Sequence, residues 1–150
     1  MAWICVDLDD TLLEKDPMSG EYSQPTEGAI EAMQTLMEEG NRLTVFTARF
    51  NPMPAQLRHQ MKEELEQMLQ QLGFPEMEVW TGMNKPSADI FIDNKAVTYD
   101  GDWGLVLAQT QQMLEDAQLA PGPQPGEAEQ AELAGGEEGG EEEPQGEEQA

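Results

Sequence analysis

The stretch Val6-Asp7-Leu8-Asp9-Asp10-Thr11 places three carboxylates within four positions, directly after an apolar run. Close like charges repel, and the cost rises as water is excluded, so such a cluster needs a compensating partner, a bound cation above all. Asp7 and Asp9 stand two apart, and in extended backbone their side chains point to the same side. Mg²⁺ takes carboxylates together with carbonyl oxygen, water and a substrate phosphate oxygen. Three more positions could complete a site. Thr47 closes the apolar run Leu43-Thr44-Val45-Phe46, Asp93 closes Asp89-Ile90-Phe91-Ile92, and Lys85 lies shortly before that second run. Asp7 and Asp93 could hold the cation from neighbouring strands. The Thr47 hydroxyl and the N–H groups after it, beginning with Ala48, could hydrogen-bond phosphoryl oxygens. Lys85 would add positive charge where negative charge develops in the transition state, so the pieces fit phosphoryl transfer.

The elements that must position these residues follow from periodicity. Residues 2–8 are a short run of strand formers and predict a buried strand. Residues 12–25 carry Pro17, Gly20 and Pro25 and suit an irregular loop or a small hairpin flap. Ile30, Met33, Leu36 and Met37 fall at helical spacing before Gly40, predicting a helix over 26–39. A second strand covers 42–47. Pro52 and Pro54 open a helix to about 72, with Leu57, Met61, Leu65, Met68, Leu69 and Leu72 as its apolar stripe and Gly73 as its stop. Strands are expected over 77–81 and 88–93, with a short fifth over 96–100. Asp102 is placed to cap a last helix from about 103 to 118. Strands alternating with helices argue for a parallel α/β sheet covered on both faces. Ligand sites in such sheets lie at the carboxyl ends of the strands, where Asp7, Asp9, Thr47 and Asp93 all fall.

With these pieces in place the chain resembles the haloacid dehalogenase (HAD) superfamily of phosphohydrolases. The first motif of that family, DxDxT, is matched by "DLDDT" at 7–11, and the second, an apolar run ending in Ser or Thr, by "LTVFT" at 43–47. Its lysine is matched by Lys85 and its acidic fourth motif by "DIFIDN" at 89–94. The resemblance covers 3–108, with all four motifs in family order. Response-regulator receivers use Asp, Thr and Lys in a different order, and no GxxxxGK[ST] phosphate loop occurs. The resemblance implies a three-layer Rossmann-like fold in which Asp7 is the nucleophile, forming an aspartyl-phosphate, and Asp9 the general acid and then base. It implies that Thr47, Ala48 and Lys85 bind the phosphoryl group. Asp7, Asp93 and the Asp9 carbonyl would bind Mg²⁺. Small members often carry two adjacent acids in the fourth motif, whereas the second position here is Asn94, which can bind a metal-bound water or contact substrate. Arg49 is either a substrate or flap contact or a surface ion pair. The intervals between motifs are too short for a cap domain with its own core, so the resemblance narrows to the small uncapped (C0-type) members. An open site implies a large substrate, or a lid formed by the 12–25 flap or by a second copy in a homo-oligomer.

Composition sets the remaining bounds. The chain has 150 residues and a formal net charge of −24, with 21 of the 31 acidic residues within 1–118 and the other ten within 119–150. The expected organisation is a single catalytic domain over 1–118 and a disordered Glu/Gly/Pro/Gln-rich tail over 119–150, which either solubilises the protein or contacts a partner. A surface this acidic repels phosphate backbones and anionic membranes, so neither nucleic acid nor membrane is an expected partner. One cysteine, Cys5, excludes an internal disulfide and a zinc cluster. With no signal-like or spanning apolar segment, the expected location is the cytoplasm. The expected activity is Mg²⁺-dependent hydrolysis of a phosphomonoester, a sugar phosphate or nucleotide. The alternative is a catalytically weak phosphate-sensing or protein-interaction module on the same fold.

Overall fold

The computed structural model describes residues 1–117; the acidic segment expected to be disordered lies outside the described residues. The chain divides into one unit over Met1–Ala96 and a second beginning at Val97.

The first unit is built on a four-stranded, all-parallel sheet in the order β5-β4-β1-β6, formed by β1 (Trp3–Asp7), β4 (Arg42–Phe46), β5 (Glu78–Val79) and β6 (Ile90–Ile92). Between β1 and β4 run an antiparallel hairpin, β2 (Leu13–Lys15) with β3 (Tyr22–Pro25), and the helix α1 (Ala29–Glu38). Of the irregular loop or small hairpin flap expected over 12–25, the hairpin is what forms. A 3₁₀ turn (Ala48–Phe50) and the helix α2 (Ala55–Gln71) lead from β4 to β5. The described chain is thus α/β.

Alternation along the strands assigns the two sheet faces. Ile4 pairs with Leu43 and Val6 with Val45, which pairs with Val79. These side chains form one buried cluster with Ala29 and Met33 of α1 and Leu65 and Leu69 of α2. Both helices therefore cover the same face, as right-handed crossovers that step twice in one direction require. Within this unit the opposite face carries Trp3, Cys5, Thr44 and Phe91. There the Trp3 indole donates to the Thr44 hydroxyl at 2.9 Å, and its ring lies 5.8 Å from that of Trp80.

Both helices stop in the same way. The Gly40 N–H bonds the Met37 carbonyl and Asn41 N–H bonds Leu36; the Gly73 N–H bonds Gln70 and Phe74 N–H bonds Leu69. This paired closure needs a left-handed residue at the glycine, whose φ is 90° at Gly40 and 103° at Gly73. Leu57 departs from the expected α2 stripe and is 50% exposed, because it sits in the first turn, ahead of the stretch that reaches the sheet. β5 is shorter than expected: the side chain of Glu66 in α2 accepts from the Val79 N–H at 3.0 Å, so a helix carboxylate takes a strand donor on the sheet edge.

The strand expected over 96–100 does not form. The Asp93 side chain accepts from the Lys95 N–H at 2.8 Å, a turn that ends β6, and too few residues follow for the crossover a further parallel strand would need. In the second unit, Tyr99 stacks on Trp103 with centroids 4.9 Å apart. Asp102 caps α3 (Trp103–Asp116), accepting from the N–H groups of Gly104 and Leu105. Among the described residues no helix is long and apolar enough to cross a membrane.

Candidate active site

β1 ends at Asp7, and the chain turns at once around Leu8, whose side chain is fully buried. The N–H groups of Leu12 and Leu13 both bond the Leu8 carbonyl, and Asp10 adopts a φ of 63° to make the turn. A short acidic side chain tolerates that left-handed conformation better than a branched one would. The buried Leu8 anchors the turn and leaves Asp7 and Asp9 flanking it at the strand's carboxyl end.

Thr47 follows β4 directly. It is 4% exposed, and its hydroxyl accepts from the Arg49 N–H at 3.2 Å, capping the 3₁₀ turn that contains Ala48. Parallel pairing of β4 and β6 with β1 brings the ends of all three strands to one edge of the sheet, so Asp7, Thr47 and Asp93 share that edge. Lys85 arrives in the loop from β5 to β6, with its ammonium 4.3 Å from the Phe91 ring centroid. That is a cation–π contact. Among the described residues no ion pair joins Lys85 to a carboxylate.

Thr11 ties two of the motifs together. Its hydroxyl donates towards Asp7 (3.4 Å) and the Asn94 side-chain oxygen (3.2 Å), and accepts from the Asn94 N–H at 3.3 Å. Thr11 thus orients Asp7 and also fixes the segment after β6. Asn94 is engaged through its side-chain oxygen. Asp9 is held elsewhere: Arg49 grips its carboxylate in a fork, Nε donating to Oδ2 at 2.9 Å and Nη2 donating to Oδ1. Of the two readings open for Arg49, the structure shows the ion pair, and its partner is the residue expected to act as acid and base. Asp10 accepts from the Tyr22 hydroxyl at 2.8 Å, which fastens the flap to the turn beside the site.

The electrostatics agree with this geometry. Burial pushes the Asp7 carboxyl up, and the negative charge of Asp93 pushes it further. The Leu8 N–H and the Thr11 hydroxyl oppose the shift, and Asp9 adds a smaller upward push. The hydrogen bonds from Arg49 to Asp9 hold its guanidinium more firmly protonated, against partial burial. The Tyr22 phenol is raised chiefly by its hydrogen bond to Asp10.

Among the described residues no three His, Cys, Asp or Glu side chains converge as metal ligands. Asp7 and Asp93 remain, at the adjoining ends of β1 and β6 and near enough for the charge of Asp93 to raise the Asp7 carboxyl, and among the described residues neither forms an ion pair. An all-oxygen donor set of these two and a backbone carbonyl fits a hard cation such as Mg²⁺, which keeps several waters in any case. With Asp9's carboxylate turned to Arg49, its contribution to such a site falls to its carbonyl.

A cleft of about 190 Å³ opens beside Thr47 and Lys85. Its lining also includes Arg58, from the first turn of α2, and Trp80. Neither is among the site residues expected from the sequence. Arg58 lies off the apolar stripe, and Trp80 reads from the sequence as core or rim, although its place just after β5, at the carboxyl end of the sheet, is a usable signal. His59 is exposed, as its position off the stripe predicts.

Comparison of the chain with protein-family models, with curated proteins and with solved structures finds no match.

Proposed function

We propose that the protein is a Mg²⁺-dependent phosphomonoester hydrolase of HAD type, in the three-layer, uncapped form of that superfamily, working through an aspartyl-phosphate on Asp7. The observation that carries this reading is the meeting of Asp7, Thr47 and Asp93 at one edge of a parallel sheet, with Lys85 in the adjoining loop. Residues 7 to 93 span most of the first unit, yet the same acid, hydroxyl, lysine and acid order of the sequence motifs is delivered to one place.

Asp7, Asp93 and the Asp9 carbonyl would hold Mg²⁺, which when bound supplies charge that offsets the two carboxylates and polarises the phosphoryl oxygens. Thr47 and the Ala48 N–H orient the phosphoryl group, and Lys85 draws near it from the cleft wall. An Asp7 oxygen attacks phosphorus as the bond to the leaving oxygen breaks, and the Asp9 carboxyl donates its proton to that oxygen. Water then attacks phosphorus, Asp9 accepts its proton, and Asp7 leaves as a free carboxylate with release of phosphate. For Asp9 to reach the leaving group, its fork with Arg49 has to open. Substrate arrival beside Arg49 is the natural trigger.

The test is phosphate release from a panel of sugar phosphates and nucleotides, with and without Mg²⁺, by the protein and by Asp7→Asn. Metal-dependent release abolished in Asp7→Asn is the expected result; near-normal turnover by that variant refutes the covalent route. The Asp9–Arg49 pair and the engaged Asn94 favour a second reading, a phosphate-sensing or protein-binding module. It predicts phosphate binding with no release from any ester.

A further inference from the structure

We infer that the cleft beside Thr47 and Lys85 selects phosphomonoesters whose leaving group carries a second anionic group, with Arg58 as the residue that reads it. This rests on the hydrolase reading for the phosphoryl end of the cleft, and it adds the class of substrate. The argument begins with charge. The protein has 31 acidic and only seven basic side chains, and among the described residues Lys15, Arg58, Lys85 and Lys95 form no ion pair, but of these four only Arg58 and Lys85 share a cleft. Arg42, Arg49 and Lys62 are all ion-paired to Glu or Asp. Arg58 and Lys85 both line the cleft, and among the described residues no carboxylate lines it with them. Neither cation forms an ion pair with a described carboxylate.

Arg58 is also aimed. Its Nε donates to the Met53 carbonyl at 2.8 Å, and its Nη1 meets the Met83 thioether, a weak acceptor. The guanidinium is thereby tethered at one edge, half-buried, while among the described residues its other N–H groups meet no strong acceptor. A planar fork with unspent donors matches a carboxylate or phosphate in two-point contact. The rest of the wall is mixed: Asn51 and Asn84 offer polar groups, Phe46, Phe50 and Met83 apolar surface, and the Trp80 ring borders it too. A volume of about 190 Å³ admits a short-chain phosphate ester rather than a polymer. With the phosphoryl group at Thr47 and Lys85, Arg58 is the cation left in the lining for a second anion of a short ester.

Two near-isosteric probes decide the matter: glycerol 3-phosphate, with a neutral leaving group, and 3-phosphoglycerate, with a carboxylate. Calorimetry on the full-length Asp7→Asn protein in Mg²⁺ reads binding without turnover, and phosphate release by the unaltered protein is followed in parallel. We expect 3-phosphoglycerate to bind at least about tenfold tighter, the scale of one charge-assisted contact. Adding Arg58→Gln should bring the ratio to within about twofold, while Arg58→Lys keeps part of it. Asn51→Asp, an exposed change that leaves Arg58 intact, should lower the ratio by placing a carboxylate in the wall. Equal binding of the two probes, no binding of either, or a preference that survives both Arg58→Gln and Asn51→Asp overturns the inference. Its failure is separate from that of the hydrolase reading. Release of phosphate from both esters at equal rates keeps the enzyme and removes the anion selectivity. An Arg58-dependent binding preference with no release keeps the cleft and removes the enzyme.

Discussion

Replacing Gly82 by alanine should destabilise the first unit through one rigid neighbour. A Cβ built at Gly82 would lie 2.6 Å, 2.7 Å and 2.8 Å from three atoms of the Trp80 indole, all inside van der Waals contact. The obstacle is a ring, so it cannot give way by bending. Nor is it free to swing. Its Nε1 donates to the Asn84 carbonyl at 2.8 Å, and its face is tilted against Trp3 with centroids 5.8 Å apart. Relief therefore costs the indole hydrogen bond, about 0.5–1.5 kcal/mol, and part of the aromatic pair, about 0.5–1.5 kcal/mol. The sum, about 1–3 kcal/mol, is the usual scale for overpacking. In a unit of this size each kcal/mol lowers Tm by about 4–8 °C. Trp80→Leu removes the offending ring atoms, so Gly82→Ala should cost little in that background. The coupling energy from urea unfolding of the two single variants and the double should exceed about 1 kcal/mol. Simple additivity, or a Gly82→Ala protein as stable as the parent, refutes the reasoning. The same pair of residues shapes the loop that carries Lys85.

Two further expectations bear on the sheet end. Burial raises the Cys5 thiol from 9.0 to about 11, with Asp7 adding to the shift and Lys85 opposing it. At pH 8 the thiolate fraction should therefore be about a hundredfold lower than that of a thiol at its ordinary value. Because the folded value is the higher one, the linked stability is fully present below pH 9 and is lost as pH rises through about 11. Thiol-modification rates with and without urea, and urea midpoints across that range, check both statements; rapid native modification at pH 8 sinks the first. Asp93→Ala should weaken the Mg²⁺ dependence of turnover or remove activity, since it deletes one of the two carboxylates at the adjoining ends of β1 and β6. An unchanged metal titration rules Asp93 out as a ligand.

Much of this protein was legible along the chain because the informative features are local. Two-residue alternation and short apolar runs predicted β1, β4 and β6, helical spacing predicted α1 and α2, and Asp102 announced α3 one residue before it begins. Strand ends are local features too, so Asp7, Thr47 and Asp93 could be nominated before their proximity was known. The strand expected over 96–100 failed for a tertiary reason: Val, Thr and Tyr favour extended backbone, but a strand also needs a partner in register, and the turn at Asp93 ends the chain's run along the sheet.

The pairings were decided only by folding. Asp9 and Arg49 lie 40 residues apart, and Thr11 and Asn94 lie 83 apart. No periodicity reaches across such distances, and each of these side chains had several acceptable partners in the sequence. The alignment of parallel strands made the choice, by setting which loops meet at the carboxyl edge. The cleft has the same origin. Lys85, Arg58 and Trp80 come from a loop, a helix and a strand end, and their charge and shape act together only because folding brings them into one cleft with Thr47. Sequence alone thus determined the inventory of chemical groups and the strand ends that carry them. Tertiary structure determined which charges are already satisfied and which face an open site, because both depend on distances that local patterns do not encode.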